Sequence, residues 1–332
     1  MMSMVLLLAQ FLAGFLLLVG GAEFLVRGAS RLAATFRMPP ALIGLTVVAF
    51  GTSLPELVVS LTASLSGEAS DIAIGNIVGS NIANLGLILG ICGLIATLDV
   101  KAIFTKREIP LLIGITVLFT ILAAIDGSIG RIDGLIFVAG LVVFEVFSFR
   151  AAIKERDFGE ELVETVEAAE SIDDRIATPS QQPWFDALLI FGGIIALIVG
   201  ADWLVKAATE IARALNVPEL IIGLTLVAVG TSLPEVATSL VAVFRKNGDI
   251  AIANVLGSNI FNILGIAGIT AVVSPMNVPS DMIVTSFLPM LGFTLLVALF
   301  TWPKPNDIKR WEAAILLTLY LSYTVWLVLF ST

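Results

Sequence analysis

The sequence contains no histidine, a single cysteine and few charged residues. The lack of histidine removes the commonest transition-metal ligand and the usual proton carrier near neutral pH. One cysteine cannot form an intramolecular disulfide, and Cys92 lies in an apolar run, which favours an inert, packed thiol. Carboxylates and neutral oxygens remain for cation chemistry, and such ligands suit hard cations. We expect no bound cofactor.

The scarcity of charge indicates a membrane protein. Charged residues make up 14% of the chain, whereas soluble domains carry about 25%. The mean hydropathy is +1.03, and several apolar runs reach the roughly 20 residues that a transmembrane helix needs. The first run, Met4–Phe24, is long and follows no basic segment, so we predict a true first helix rather than a cleaved signal.

The second half of the chain repeats the pattern of the first. Ile43–Glu56 and Ile222–Glu235 are identical at 12 of 14 positions, and Ile72–Ile91 and Ile250–Ile269 are identical at 12 of 20 positions. Matches of this length do not arise by chance, so the sequence predicts an internal duplication. The two repeated motifs span about residues 43–91 and 222–269.

Each half holds about five apolar segments, and this odd number has a topological consequence. Two copies of five helices in one chain must enter the membrane from opposite sides, which makes them inverted repeats. We therefore predict an all-α membrane protein of about ten transmembrane helices, with broken helices at the centre. The predicted parts are a first repeat at 1–150, an acidic cytoplasmic linker at 151–183 and a second repeat at 184–332. The expected helices cover roughly Met4–Leu25, Ala41–Leu65, Ile72–Leu98, Glu108–Ile125, Ile132–Phe149, Trp184–Val205, Leu220–Phe244, Ile250–Val273, Met282–Thr301 and Trp311–Phe330.

The basic residues predict an orientation. With the N-terminus outside, 15 of the 18 lysines and arginines fall in inside loops, and only Arg131, Lys206 and Arg213 fall outside. The positive-inside rule favours this arrangement, with both termini outside and the linker in the cytoplasm. The linker itself carries nine acids and three bases, and an acidic patch gives no support for nucleic-acid binding.

Two glutamates, Glu56 and Glu235, lie in the middle of apolar helices at equivalent positions of the duplication. A charge at the bilayer centre costs roughly 2.5–3.5 kcal/mol on insertion scales. Two such costs call for compensation, which a bound cation would supply. The alternative is a protonated or interhelically hydrogen-bonded pair of glutamates.

Each glutamate ends a Gly-Thr-Ser-Leu-Pro-Glu motif, at 51–56 and again at 230–235. Proline has no N–H to donate, so it frees the carbonyl four residues earlier, that of Gly51 or Gly230. Carbonyls freed inside a membrane need protein or a water-filled cavity to satisfy them. Thr52 and Thr231 share a helix face with the glutamate four residues later. The alternative is a plain proline kink in a packed helix.

The helix after each motif carries a polar stripe at a spacing of four residues. Close helix–helix packing through small residues and interhelical hydrogen bonds is the alternative use of such a stripe. Together with the glutamates, these oxygens match the six to eight that calcium takes. The stripe residues are Asn76, Ser80 and Asn84 in the first half and Asn254, Ser258 and Asn262 in the second.

At these motifs the sequence resembles the calcium/cation antiporter superfamily, and closely its prokaryotic sodium/calcium exchanger branch. The resemblance covers nearly the whole chain and implies alternating access, with sodium influx driving calcium efflux. A compact chain without targeting segments favours a prokaryotic plasma membrane. The resemblance also implies that Glu56 and Glu235 are shared ligands of calcium and sodium. The other implied site groups are the backbone carbonyls of Thr52, Thr231, Ala49 and Ala228, the sodium-site residues Ser53, Ser80, Ser232 and Ser258, and the central Asn84 and Asn262.

One position departs from some relatives. Potassium-dependent exchangers are among those that carry aspartate where this chain has Asn262, so the resemblance argues against potassium co-transport. The linker at 151–183 is too short for a large calcium-sensing domain, and we interpret it as a solvated linker or short helix. Glu23 with Arg27 and Asp202 with Lys206 have the spacing of helical ion pairs, and a gating role is the alternative for them.

Three other functions stay open on the residues alone. A calcium/proton antiporter on the same fold would carry protons on the buried glutamates. A cation channel would use the same polar stripes without a counter-ion. A membrane-embedded enzyme finds little support, because the chain lacks histidine and a cysteine pair. The expected partners are Na⁺, Ca²⁺ and the lipid bilayer, and the mechanism requires no oligomer.

Overall fold

The computed structural model describes residues 4–36, 38, 40–65, 70–101, 104–166, 183–215, 230–302 and 307–330. Within these ranges nearly all of the chain is helical. The helices are α1 (Met4–Thr35), α2 (40–52), α3 (Leu54–Leu65), α4 (70–95), α5 (Phe104–Asp126), α6 (Arg131–Val166), α7 (Pro183–Ala214), α8 (Leu233–Phe244), α9 (Gly248–Val273), α10 (Ser280–Thr301) and α11 (Arg310–Phe330).

The number of spans agrees with the predicted all-helical membrane fold. In the described part of the chain, eight helices are long and apolar enough to cross a membrane, and α2 and α3, bent by 42° at their break, make a ninth if the pair is counted as one span. Helix α8 is shorter, and residues 216–229 before it lie outside the described residues.

Several helices extend beyond their predicted ends. Helix α1 continues to Thr35 instead of ending near Leu25, because Leu25, Ala29 and Ala33 are buried along its far turns. Helix α7 likewise continues to Ala214. The backbone of α6 stays helical to Val166, so the predicted linker at 151–183 begins inside a helix, and residues 167–182 lie outside the described residues.

Two short antiparallel ribbons show that the halves are inverted. Strand β1 (Leu98–Asp99) pairs with β4 (Asp307–Ile308), and β2 (Ser128–Ile129) pairs with β3 (Met276–Asn277). Helix α5 connects β1 to β2, so the two ribbons lie at opposite ends of that helix. In the duplication β1 corresponds to β3 and β2 to β4. Equivalent loops therefore lie at opposite ends of the molecule, as an in-plane two-fold axis requires.

Helices α1 and α7 pack against each other backbone to backbone. A Cβ atom added at Gly21 would lie 2.8 Å from the carbonyl oxygen of Gly193, and one added at Gly193 would lie 2.7 Å from that of Gly21. Gly14 meets Gly200 in the same way, one seven-residue period along the antiparallel pair. No side chain fits between the helices at these points, so α1 and α7 form one unit.

The centre of the molecule is formed by α4 and α9. Of the membrane-spanning part of α4, 78% of the residues are buried, and of α9, 89%, whereas the values for α1 and α7 are 22% and 28%. Helices α3 and α8 pack against α4 and α9 respectively. The four elements that carry the duplicated motifs thus form the core, and the α1–α7 unit lies beside it.

Candidate cation-binding site

The break in each motif places a glutamate at the start of a helix. Helix α2 ends at Thr52 and α3 begins at Leu54, with Ser53 at φ −87° and ψ 6° between them. Ser232 has nearly the same conformation, φ −87° and ψ 4°, before α8. Glu56 and Glu235 therefore lie in the first turns of α3 and α8. The N-terminal end of a helix dipole favours negative charge, which helps to stabilise a carboxylate there.

The two glutamates lie together at the contact between the halves. Ser53 Oγ donates to Glu235 Oε1 at 2.9 Å, and Ser232 Oγ donates to Glu56 Oε1 at 3.2 Å. Each glutamate is 1% exposed. The structure thus brings four predicted site residues from distant parts of the sequence into one buried cluster, and each serine holds the glutamate of the other half.

Helices α4 and α9 contribute the next residues. Ser80 is buried and its hydroxyl oxygen lies 3.3 Å from that of Ser232. Asn84 and Asn262 are buried and each begins a π-helical turn, Asn84–Ile88 in α4 and Asn262–Ala267 in α9. The first of these turns packs against α8 and the second against α3. Wide turns of this kind are frequent at functional sites.

Several buried oxygens at these residues lack hydrogen bonds. Within the described residues, Oε2 of Glu56 and of Glu235 has no hydrogen-bond partner, and neither has Oδ1 of Asn84 or of Asn262. A buried acceptor left unsatisfied costs about 1–3 kcal/mol, and more if it is charged. Two carboxylate and two amide oxygens without protein partners are the donor set that a hard cation takes.

The threonines of the motif contact the asparagines of the opposite half. Thr52 Oγ1 lies 3.2 Å from Asn254 Oδ1, and Thr231 Oγ1 lies 3.4 Å from Asn76 Oδ1. Thr52 Oγ1 also lies 3.3 Å from the carbonyl oxygen of Ala49, a second acceptor for the single hydroxyl proton. The predicted counterpart of that carbonyl, in Ala228, lies outside the described residues.

Two serines near the site were missed in the sequence analysis. Ser60 Oγ accepts from Asn76 Nδ2 at 2.9 Å, and Ser239 Oγ accepts from Asn254 Nδ2 at 3.1 Å. Both are fully buried and follow a site glutamate by four residues, on the same helix face. The four-residue spacing from each glutamate could have identified these serines in the sequence.

Charge at the site comes from the two glutamates. Over the described ranges no group of three or more Cys, Asp or Glu side chains could hold a metal ion. Ser258, one of the predicted site residues, is fully buried on α9. Because the remaining polar groups are neutral, the cluster carries at most two negative charges, which one divalent cation would balance.

The predicted ion pairs on α1 and α7 are confirmed, and one has an additional partner. Arg27 Nη2 lies 3.6 Å from Glu23 Oε1, and Lys206 Nζ lies 2.9 Å from Asp202 Oδ1. Glu23 also accepts from Arg245 Nε at 2.9 Å, so an ion pair joins α1 to the residue after α8. Spacing along one helix could not reveal this contact.

Comparison with known proteins points to one family. The family model described as "Sodium/calcium exchanger protein" matches residues 6–150 and 185–329. A putative antiporter, CaxA of Alkalimonas amylolytica, is 35% identical over 94% of this chain and 95% of its own length. The inner membrane protein YrbG of Escherichia coli strain K12 is 36% identical over 91% of this chain and 92% of its own length.

A solved structure extends the similarity to the fold. The sodium-calcium exchanger NCX_Mj, in crystals soaked with Na⁺ and Ca²⁺, superposes with a TM-score of 0.80 and is 30% identical. The match covers 97% of this chain and 98% of NCX_Mj. Both duplicated halves are included in this match.

Proposed function

Because the chain belongs to the sodium/calcium exchanger family and is a multi-pass cation/calcium antiporter, not an enzyme, we propose that it exchanges Na⁺ for Ca²⁺. Both ions bind between Glu56 and Glu235. The exchange is secondary active transport, driven by the sodium gradient. The names of NCX_Mj as a sodium-calcium exchanger and of CaxA as a putative antiporter support this assignment.

The observation that carries the proposal is the buried pair of glutamates with one free oxygen each. Glu56 and Glu235 each use Oε1 to accept from a serine of the opposite half. Their second oxygens have no hydrogen-bond partner within the described residues. Two carboxylates balance one Ca²⁺ or two of several Na⁺ ions, so the two kinds of ion compete for the same charge.

Neutral oxygens from both halves complete the proposed coordination. They replace the water that each ion loses on entering the membrane, and together with the carboxylates they supply the six to eight oxygen ligands that calcium takes. The proposed ligands and site residues are Glu56, Glu235, Ser53, Ser232, Ser80, Ser258, Asn84, Asn262 and the backbone oxygens of Thr52, Thr231, Ala49 and Ala228.

The site opens to one side of the membrane at a time by movement of the α1–α7 unit across the core. Helices α1 and α7 move together, because their glycines bring the two backbones into contact at Gly21 and Gly193. Their low burial leaves most of their surface facing lipid. The two inverted halves make the opening to each side an approximate mirror of the other.

The proposed location is the inner membrane of a prokaryote, since the E. coli relative is an inner membrane protein. Both termini lie outside and the acidic segment at 151–183 lies in the cytoplasm, between a first repeat at 1–150 and a second at 184–332. Each chain contains a complete site, so transport requires no oligomer.

Uptake of radioactive calcium into proteoliposomes tests the proposal. Vesicles loaded with sodium and diluted into sodium-free buffer should take up calcium, and Glu56→Gln and Glu235→Gln should each reduce uptake to background. Glu145→Gln is the matched control, because Glu145 is a half-buried glutamate in α6, outside the site. It should transport normally.

The driving gradient separates the alternatives. Uptake that follows a pH gradient and ignores sodium would instead make the protein a calcium/proton antiporter. Calcium conduction without any counter-ion would make it a channel. Unchanged uptake in both glutamine variants would contradict the assignment of the site.

A further inference from the structure

We propose that Asn76 and Asn254 are positioning residues of the transport site, each joining the broken helix of one half to that of the other through both ends of its side-chain amide. This inference rests on the proposed function, since the turns that they hold are those that present the ion ligands.

The link through Asn254 is buried along its whole length. Asn254 Oδ1 lies 3.2 Å from Thr52 Oγ1 of the first half, and Asn254 Nδ2 donates to Ser239 Oγ of its own half at 3.1 Å. Thr52, Asn254 and Ser239 are each at most 1% exposed. The amide therefore connects the end of α2 to the second turn of α8.

The link through Asn76 repeats this arrangement with the halves exchanged. Asn76 Oδ1 lies 3.4 Å from Thr231 Oγ1 of the second half, and Asn76 Nδ2 donates to Ser60 Oγ of its own half at 2.9 Å. The same nitrogen also donates to the carbonyl oxygen of Glu56 at 3.1 Å. Asn76 and Thr231 are half-buried, so this link is more accessible to water.

The chemistry of asparagine suits this position. Its side chain offers an acceptor at one end and two donors at the other, and here each end meets a different half. A threonine hydroxyl that donates to the asparagine is held in one orientation, and so is the turn that carries it. That turn includes the backbone oxygen proposed as an ion ligand and lies one helical turn before the glutamate. An apolar residue at 76 or 254 would remove the contact with the threonine of one half and the hydrogen bond to the serine of the other.

Two other asparagines provide a matched control. Asn81 and Asn259 occupy the same helices, α4 and α9, and both are buried, Asn259 as fully as Asn254 and Asn81 more fully than Asn76. Their Nδ2 atoms donate to carbonyl oxygens of their own helices, that of Ile77 at 2.7 Å and that of Val255 at 3.0 Å. Replacing them removes a buried amide from the same helix without cutting the described links between the halves.

The experiment measures calcium binding by titration calorimetry on purified protein, with thermal unfolding recorded for each variant. Asn254→Ala should weaken calcium affinity by about 5–10-fold, the size of one lost buried hydrogen bond. Asn76→Ala should weaken it by about 2–5-fold, because its link is longer and more exposed. Asn81→Ala and Asn259→Ala should retain the affinity of the unaltered protein, whatever they do to the unfolding temperature.

A double-mutant cycle identifies the partner. Thr52→Val keeps the shape of the side chain and removes its hydroxyl, so it should weaken calcium binding about as much as Asn254→Ala. The double variant should lose clearly less affinity than the sum of the two single effects, since both remove the bond between Thr52 and Asn254. If Asn254→Ala fails to fold, Thr52→Val and Ser239→Ala break the two ends of the same link separately, and both should lower the affinity.

The outcomes also separate this inference from the proposed function. Additive effects in the cycle, or affinities of Asn76→Ala and Asn254→Ala equal to those of the Asn81 and Asn259 variants, would overturn it. If the asparagine inference fails in this way while Glu56→Gln and Glu235→Gln abolish binding in the same assay, the proposed ion site still stands. If the glutamine variants still bind calcium, the site itself is wrongly assigned.

Discussion

The two halves of the protein repeat each other closely at the centre and differ at the ends of the α1–α7 unit. At the centre, each hydrogen bond from a serine to a glutamate has a counterpart with the halves exchanged. At the ends, Glu23 of α1 accepts from Arg245 beyond α8. Its equivalent in α7, Asp202, pairs with Lys206 of its own helix.

A second difference lies along the seam between α1 and α7. Toward the start of α7, Asp186 takes the next position along the seam, seven residues before Gly193. It is fully buried, and its Oδ1 atom lies 3.9 Å from Arg31 Nη1. The equivalent residue in α1 is Leu7. In the proposed alternating-access cycle, a symmetric centre can present the same site to both sides of the membrane, whereas unequal ends would make the energies of the inward-open and outward-open states unequal.

The contact between α1 and α7 should show the largest effect outside the site. In Gly193→Ala the new methyl group would lie 2.7 Å from the carbonyl oxygen of Gly21, so the helices must separate. We expect a loss of about 1–3 kcal/mol in the free energy of unfolding, as in other overpacked cores, with transport reduced at least several-fold.

The neighbouring glycine is the control for that substitution. No atom lies within 4 Å of a Cβ added at Gly192, so Gly192→Ala should behave like the unaltered protein in thermal unfolding and in calcium uptake. Equal behaviour of Gly192→Ala and Gly193→Ala would show that α1 and α7 do not move as one packed unit.

The ion pair between Glu23 and Arg245 should show a smaller effect. A partly exposed pair contributes about 0.2–1 kcal/mol, so Arg245→Ala should change the balance between the two end states by about 1.4–5-fold. The measurement is the ratio of the apparent calcium affinities determined from the two sides of the membrane, in vesicles of opposite orientation.

Asp202→Asn tests whether that effect belongs to one end only. It removes the corresponding pair of α7, whose partner Lys206 lies on the same helix, so the ratio of affinities should stay unchanged. An equal change of the ratio in Asp202→Asn and Arg245→Ala would mean that the ends are not distinguished by these pairs.

Much of the fold could be predicted from the duplication. An odd number of apolar segments in each copy required inversion, and the pairing of β1 with β4 and of β2 with β3 agrees with it. The ribbons themselves were not predicted, because two-residue strands leave no pattern. The length of α1 was also missed, since burial of Ala29 and Ala33 against other helices carries it past the predicted end.

The members of the site were easier to predict than their contacts. A buried glutamate after a proline is conspicuous in an apolar helix, and its repetition identified Glu56 and Glu235 as a pair. The bonds from Ser53 and Ser232 cross between the halves, and only the folded arrangement determines which serine meets which glutamate. The π-helical turns that begin at Asn84 and Asn262 likewise depend on packing, because propensity alone does not specify them.

The central claim is that both glutamates belong to one site shared by calcium and sodium. Calorimetric titration of calcium at several sodium concentrations tests it, with Glu56→Gln, Glu235→Gln and the control Glu145→Gln. We predict one Ca²⁺ per chain, an affinity that falls as sodium rises, and loss of binding in either site variant but not in the control. Binding that survives in one of the two site variants, with its dependence on sodium unchanged, would contradict a shared site.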